Sequence, residues 1–223
     1  MASWMVHLRV ADIVARKCGF SAKDYDDFII GNVAPDSGKL NDDGLTYNPP
    51  KSVTHFKTLS DGSFDLLRYE NDYLVNAGTD VFALRLGYYS HLLTDTIWKE
   101  KIYYPTKEKY HNEFIRDKLF VWQCKRDWYD LDKLFLKKNP GFKAYESIRN
   151  NRDFCTSAFD YLNGALIRET INRITDYYDE PYKRSANDEY VYMTEEEMTD
   201  FVIRTASAVA DKLTDFLKVP ETL

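Results

Sequence analysis

The chain has 223 residues, 44% of them hydrophobic, and a formal net charge of -6, with an isoelectric point near 5.3. That length can bury a substantial core, while the acidic balance gives no help in binding a phosphate backbone, so nucleic acid is not an expected partner. The cysteines Cys18, Cys124 and Cys155 stand far apart without a CxxC pair, which argues against a disulfide framework or a thiolate zinc site and for free thiols in a reducing compartment.

Apolar periodicity of the helical kind dominates, and Gly and Pro are few. Trp4 to Cys18 reads as a first helix with Val6, Val10, Ile13 and Val14 on one stripe and Gly19 at its end. The charged and polar residues His7, Arg9, Asp12, Arg16 and Lys17 make this segment unlike a signal peptide. With no run of roughly 20 apolar residues anywhere, a cytoplasmic protein without stable membrane association is expected. Ser21 can cap a second helix through Ile30. From Asn32 to about Ser60 the pattern fails, and Gly38, Gly44, Pro49 and Pro50 punctuate a long polar stretch of the kind that is often functional. Helices are expected again over Phe64–Asn76 and over Asp80–Lys99, the latter capped by Thr79. Further helices are expected over Lys107–Gln123, Trp128–Leu136 and Asp153–Tyr178. Glu180–Tyr192 reads as a loop. Thr194 and Glu197 make a capping box for a last helix ending near Leu217. No repeat or linker divides the chain, so the expectation is a single all-α domain over residues 1–223.

Of the four histidines, three lie in the first 91 residues. His91 and Asp95 are one turn apart on a strongly periodic helix, which puts an imidazole and a carboxylate on one face. Gly87, a turn earlier, leaves room on that face for a substrate or a neighbouring helix. Asp36 follows Pro35, which biases Ala34 away from helical geometry, so Asp36 is expected on an irregular segment from which its carboxylate can turn inward. His55 stands before Phe56 at the far end of the long loop, and His7 lies beside the apolar stripe of the first helix. Taken singly, each has an ordinary reading: a helix-surface hydrogen bond, a turn aspartate, a partly buried histidine, a satisfied core histidine. As a set they are the donors that Zn²⁺ and related ions take, and Asp95 can bridge two ions because a carboxylate has two oxygens.

At these residues the sequence resembles the zinc-dependent phospholipase C family of helical metallohydrolases, which is related in fold to single-strand-specific zinc nucleases. The matching pieces are His7-Leu8-Arg9-Val10-Ala11-Asp12-Ile13, Ala34-Pro35-Asp36, His55-Phe56 and Gly87-Tyr88-Tyr89-Ser90-His91-Leu92-Leu93-Thr94-Asp95. They occur in the family's order and cover roughly the first 100 residues. The resemblance implies that Asp36, His55, His91 and Asp95 hold one zinc ion, that His7 with Asp95 serves a second, and that Asp36 is the general base for the attacking water. Two departures stand out. Secreted members use a processed N-terminal Trp as a ligand, whereas here Trp4 follows Met1, and that ligand is not carried over. The His-x-x-x-Glu pair of members with three ions has no counterpart, because Ile115 stands four residues after His111.

The expected function is therefore a zinc-dependent hydrolase acting on a small phosphoester. The alternative is a catalytically weak or inactive domain in which a closed metal site braces the helices. A His-Asp nucleotide phosphohydrolase is disfavoured, since no histidine is directly followed by Asp. The cluster Asp127, Asp130 and Asp132 is expected at a helix start, with replacement ligands as the rival reading.

Overall fold

The computed structural model describes residues 1–43, 46–75, 77–184 and 189–217. Helix α1 (Trp4–Lys17) starts where the Ser3 hydroxyl accepts the Val6 N–H, and is buried on nearly every side from Met5 to Asp12. It packs against α2 (Ala22–Gly31), α5 (Thr79–Trp98), α9 (Lys143–Asn150) and α11 (Glu195–Leu217). A polar side chain at His7 therefore has no solvent to face. Ser21 caps α2 by accepting the Asp24 N–H, as its sequence suggests.

The long polar stretch is folded into small pieces. A single 3-10 turn spans Ala34–Asp36, so Pro35 sits inside a tight turn rather than an irregular segment. Lys39–Leu40 then pairs antiparallel with Tyr47–Asn48, in the register Lys39 to Asn48 and Leu40 to Tyr47. Helix α3 (Lys51–Thr54) follows, with His55 as its C-cap. Apart from this two-residue hairpin and an isolated Lys57–Phe64 bridge, the described chain is all-α.

The expected helix over 64–76 begins at Leu66 (α4, Leu66–Tyr69) and continues as a π turn through Leu74. Its expected end, Asn76, lies outside the described residues. Helix α5 is entered from Gly78 rather than capped by Thr79, which is its first residue. It runs through a π turn (Lys99–Tyr103) into α6 (Tyr104–Lys109). The expected Lys107–Gln123 helix is broken into α6, α7 (His111–Arg116) and the start of α8 (Phe120–Lys138). One cause is visible at Asp117, whose carboxylate captures the Leu119 N–H at 2.7 Å and draws its own backbone into an extended conformation. Trp128–Leu136 is the middle of α8, so the Asp127–Asp132 cluster lies inside a helix and not at its start. The expected Asp153–Tyr178 helix begins only at α10 (Gly164–Asp179), where Asn163 accepts the Ala165 N–H at 2.8 Å. Helix α9 was not anticipated. The Thr194–Glu197 capping box forms as read, with reciprocal bonds of 2.7 and 3.1 Å at the head of α11.

The α2–α5 crossing fixes the geometry that matters most. A Cβ on Gly87 would lie 2.1 Å from the Phe28 carbonyl oxygen, and one on Gly31 2.1 Å from the Leu84 carbonyl oxygen. Only two glycines let these backbones touch, so the space beside Gly87 holds a helix and not a substrate. No helix among the described residues is long and apolar enough to cross a membrane.

Candidate metal centre

Four pieces of chain converge at one point. Helix α1 brings His7, the 3-10 turn brings Asp36, the end of α3 brings His55, and α5 brings His91 and Asp95. His7, His55, His91 and Asp95 are fully buried, and Asp36 is 9% exposed. All five residues singled out from the sequence are thus in one cluster.

The donor atoms face each other at close to one spacing. His7 Nε2 is 3.4 Å from Asp95 Oδ1, and His91 Nε2 and His55 Nε2 are 3.6 and 3.7 Å from Asp95 Oδ2. His55 Nε2 is also 3.7 Å from Asp36 Oδ1 and 3.3 Å from His91 Nε2. These separations are long for hydrogen bonds. They match the roughly 3.3–3.6 Å between ligand atoms placed tetrahedrally at about 2.0–2.2 Å around an ion. Asp95 Oδ2 and both ring nitrogens of His7 have no hydrogen-bond partner. Buried polar atoms are rarely left so, and a cation is the partner that a carboxylate oxygen and an imidazole lone pair share. Two groups, His7/His91/Asp95 and Asp36/His55/His91, are compact enough to hold an ion, and His91 belongs to both.

The surroundings orient these donors. His91 Nδ1 lies 2.8 Å from the Asn32 carbonyl oxygen; a carbonyl only accepts, so Nδ1 carries the proton and Nε2 faces the cluster. His55 Nδ1 bonds Thr54 Oγ1 at 3.1 Å, and the ring of His7 stacks on that of His91 with centroids 3.7 Å apart. The Ala2 N–H donates to Asp95 Oδ1 at 2.7 Å. Asp36 is held from both sides, by the Trp4 indole N–H on Oδ2 and by Lys51 Nζ on Oδ1, each at 3.0 Å. Phe56, directly after His55, is the single non-glycine residue with positive φ (49°) among the described residues. That unfavourable conformation is fixed by the Asp65 N–H on the Phe56 carbonyl at 2.7 Å and by ring packing on Tyr69.

Charge follows from burial and neighbours. Burial lowers His7 to about 4 and His55 to about 3, so both are neutral, with lone pairs free. Burial also pushes His91 down, but Asp95 and Asp36 outweigh it and raise its pKa. Asp36 and Asp95 are held below the usual carboxylate range: burial would raise them, and Lys51 with the histidines overrides it for Asp36, as His7 and His91 do for Asp95. A cation in this cluster would compete with a proton for His91 Nε2.

Residues outside the set fall into two kinds. His111 is exposed at the start of α7 and takes no part. The Asp127–Asp132 cluster is satisfied elsewhere: Arg184 bridges Asp127 and Asp130 at 3.0 and 2.9 Å. Asp132 accepts from Ser3 Oγ and Tyr178 OH, both at 2.8 Å. Sequence reasoning missed the supports Asn32, Trp4 and Lys51. Lys51 had a signal, since it stands four residues before His55 and so one helical turn away. A backbone carbonyl such as that of Asn32 leaves no signal.

The fold and cluster define a helical protein with buried His/Asp groups suited to a divalent ion. The family model for zinc dependent phospholipase C matches residues 6–215, nearly the whole chain. The chain belongs to that family. No curated protein and no solved structure matches it significantly.

Proposed function

We propose that this chain is a single-domain, zinc-dependent hydrolase of small phosphoesters, with His7, Asp36, His55, His91 and Asp95 as ligands. The observation that carries this reading is the unpartnered His7 Nε2, 3.4 Å from Asp95 Oδ1, and the unpartnered Asp95 Oδ2, 3.6 and 3.7 Å from His91 and His55 Nε2, in a chain of a zinc-dependent family. The resemblance gives one ion Asp36, His55, His91 and Asp95 and a second His7 with Asp95; the compact donor groups here are Asp36/His55/His91 and His7/His91/Asp95, which support the same five ligands. Zinc supplies Lewis-acid chemistry, polarising a phosphoryl oxygen and making water acidic near neutral pH.

The protein's own groups supply position. Asp36 is the one ligand candidate that reaches the surface, so substrate approaches from its side. Trp4 and Lys51 fix both of its oxygens. Its pKa is held low, so the oxygen stays ionised and suits orienting the attacking water as a hydrogen-bond acceptor. The remaining donors are dry, which strengthens every charge interaction in the centre.

A soluble substrate is favoured over a bilayer. The chain is acidic, and membrane surfaces facing the cytoplasm are negative. The test has two parts. Elemental analysis of untagged protein purified without added metal should find zinc; less than about 0.2 ion per chain, with no uptake on zinc addition, rejects the centre, since such donor sets bind zinc well. Zinc-loaded wild type should hydrolyse soluble chromogenic phosphoesters, and Asp36→Asn should lose most of that rate. Strong turnover of phosphatidylcholine micelles overturns the substrate assignment, and no turnover of any ester by loaded protein turns the centre into a structural brace.

A further inference from the structure

Helix α3 has four residues, and a single turn of helix does not hold its own shape in water. The place of its C-cap, His55, is therefore set from outside. The chain is pinned on both sides of that residue. After it, the Phe56 carbonyl oxygen accepts the Asp65 N–H at 2.7 Å. Before it, the Thr54 carbonyl oxygen accepts the phenolic O–H of Tyr88. Tyr88 is fully buried, and its ring packs on Tyr69 and Phe159, with centroids 5.0 and 4.9 Å away. Burial raises the phenol well above its ordinary pKa, so it remains a donor. Tyr88 stands three residues before His91 and seven before Asp95 on α5, so all three lie on one face of that helix.

Thr54 has a second contact. Its buried hydroxyl lies 3.1 Å from His55 Nδ1, while His55 Nε2 faces Asp36, Asp95 and His91. A neutral imidazole has one N–H. When Thr54 Oγ1 accepts that N–H at Nδ1, the Nε2 lone pair is left for an ion. Resting on the zinc-ligand assignment above, we propose that Tyr88 and Thr54 are positioning residues for His55. Tyr88 fixes where the ring stands, and Thr54 fixes which nitrogen is bare. Helix α5 then sets three of the five donors, His91 and Asp95 directly and His55 through the Tyr88–Thr54 link. An ordinary core tyrosine needs only some acceptor for its O–H. This one takes the carbonyl of the residue whose side chain already holds the ligand ring.

The experiment compares wild type with Tyr88→Phe, Thr54→Val, Thr54→Ser and the double variant Tyr88→Phe/Thr54→Val. It measures zinc Kd by competition with a chromogenic chelator, and the visible spectrum of each protein with cobalt in place of zinc. Thr54→Val keeps the shape of the side chain and removes the hydroxyl. Its zinc Kd should rise about 10–100-fold, the scale for a partner that orients a ligating histidine, and its cobalt bands should shift. Thr54→Ser keeps the hydroxyl and should return both readings close to wild type. Tyr88→Phe should weaken zinc on the same scale. The double variant should lose less than the product of the two single fold-changes, because both act through His55. Equal losses in Thr54→Val and Thr54→Ser, or wild-type zinc affinity in both Thr54→Val and Tyr88→Phe, overturn the proposal and leave the metal centre standing. A wild type that takes up no zinc overturns the centre and the proposal with it.

Discussion

Replacing Gly87 with alanine tests the link between helix packing and the metal centre. The added Cβ would meet the Phe28 carbonyl oxygen at 2.1 Å and Gly31 Cα at 3.1 Å. Both are backbone atoms, so no side chain can swing aside. Restoring ordinary contact at 3.4 Å means separating α2 from α5 by about 1.3 Å. One turn further along α5, the His91 Nδ1–Asn32 carbonyl bond of 2.8 Å spans the same interface. The same separation stretches it to about 4 Å, beyond hydrogen-bond range. Alanine gains about 0.8–1.0 kcal/mol in helix propensity. Against that stand about 1–3 kcal/mol of overpacking and about 1–3 kcal/mol for a buried carbonyl left unpaired. The loss wins, by roughly 1–5 kcal/mol, out of a typical 5–15 kcal/mol for a domain. Urea unfolding of the metal-loaded proteins should show a lower midpoint at unchanged slope, and the variant should retain less zinc through dialysis. A variant as stable as wild type that keeps its zinc would refute the argument that the Gly31–Gly87 crossing sets the His91 position.

Three other outcomes are expected. His91→Ala removes the residue common to both candidate ion groups, so zinc affinity should fall by more than the 10–100-fold typical of an outer-shell change; unchanged zinc content by elemental analysis counts against the ligand set. Burial raises the Asp132 carboxyl from 3.8 to about 7, despite bonds from Ser3 and Tyr178. A raised carboxyl favours the folded state while protonated, so this contribution is full below pH 4 and is lost as pH climbs to 7, a displacement worth roughly 4 kcal/mol. Asp132→Asn should therefore gain stability relative to wild type between pH 5 and 8, and a pH-independent difference in chemical denaturation would contradict it. Thr194→Ala should cost about 1 kcal/mol by removing the acceptor for the Glu197 N–H, read as a fall in thermal midpoint; no fall would mean that α11 is held by packing alone.

The elements legible in the sequence are those whose signals are local. Ser21 and the Thr194–Glu197 pair sit where caps were read, because a cap is a side chain bonding a backbone group within three residues. The five clustered His and Asp residues were legible for another reason: only four histidines exist, and three stand in ordered family motifs. Helix α9 and the breaks at Tyr110 and Asp117 were not legible. The apolar pattern runs through those breaks, and at Asp117 what stops the helix is its carboxylate's bond to the Leu119 N–H. The Asp127–Asp132 run was misplaced because acidic residues at a helix start and acidic residues paired across to Arg184 and Tyr178 look alike in one dimension. Two supports of the centre escaped for the same reason: Trp4 and the Asn32 carbonyl reach it only through the fold.

The dryness of the donors carries a kinetic consequence. Four of the five are fully shielded from water, with Asp36 alone at the rim. An ion bound there cannot be handed to a chelator ligand by ligand from outside. Release waits on a local opening, and the Lys51–Thr54 turn, a single turn of helix that carries His55 as its C-cap, is a short element through which such an opening can run. Exchange of zinc against a strong chelator should then saturate. Its rate levels off at the opening rate of this element and ceases to depend on chelator concentration, so the proposed centre would act as a timed store of metal.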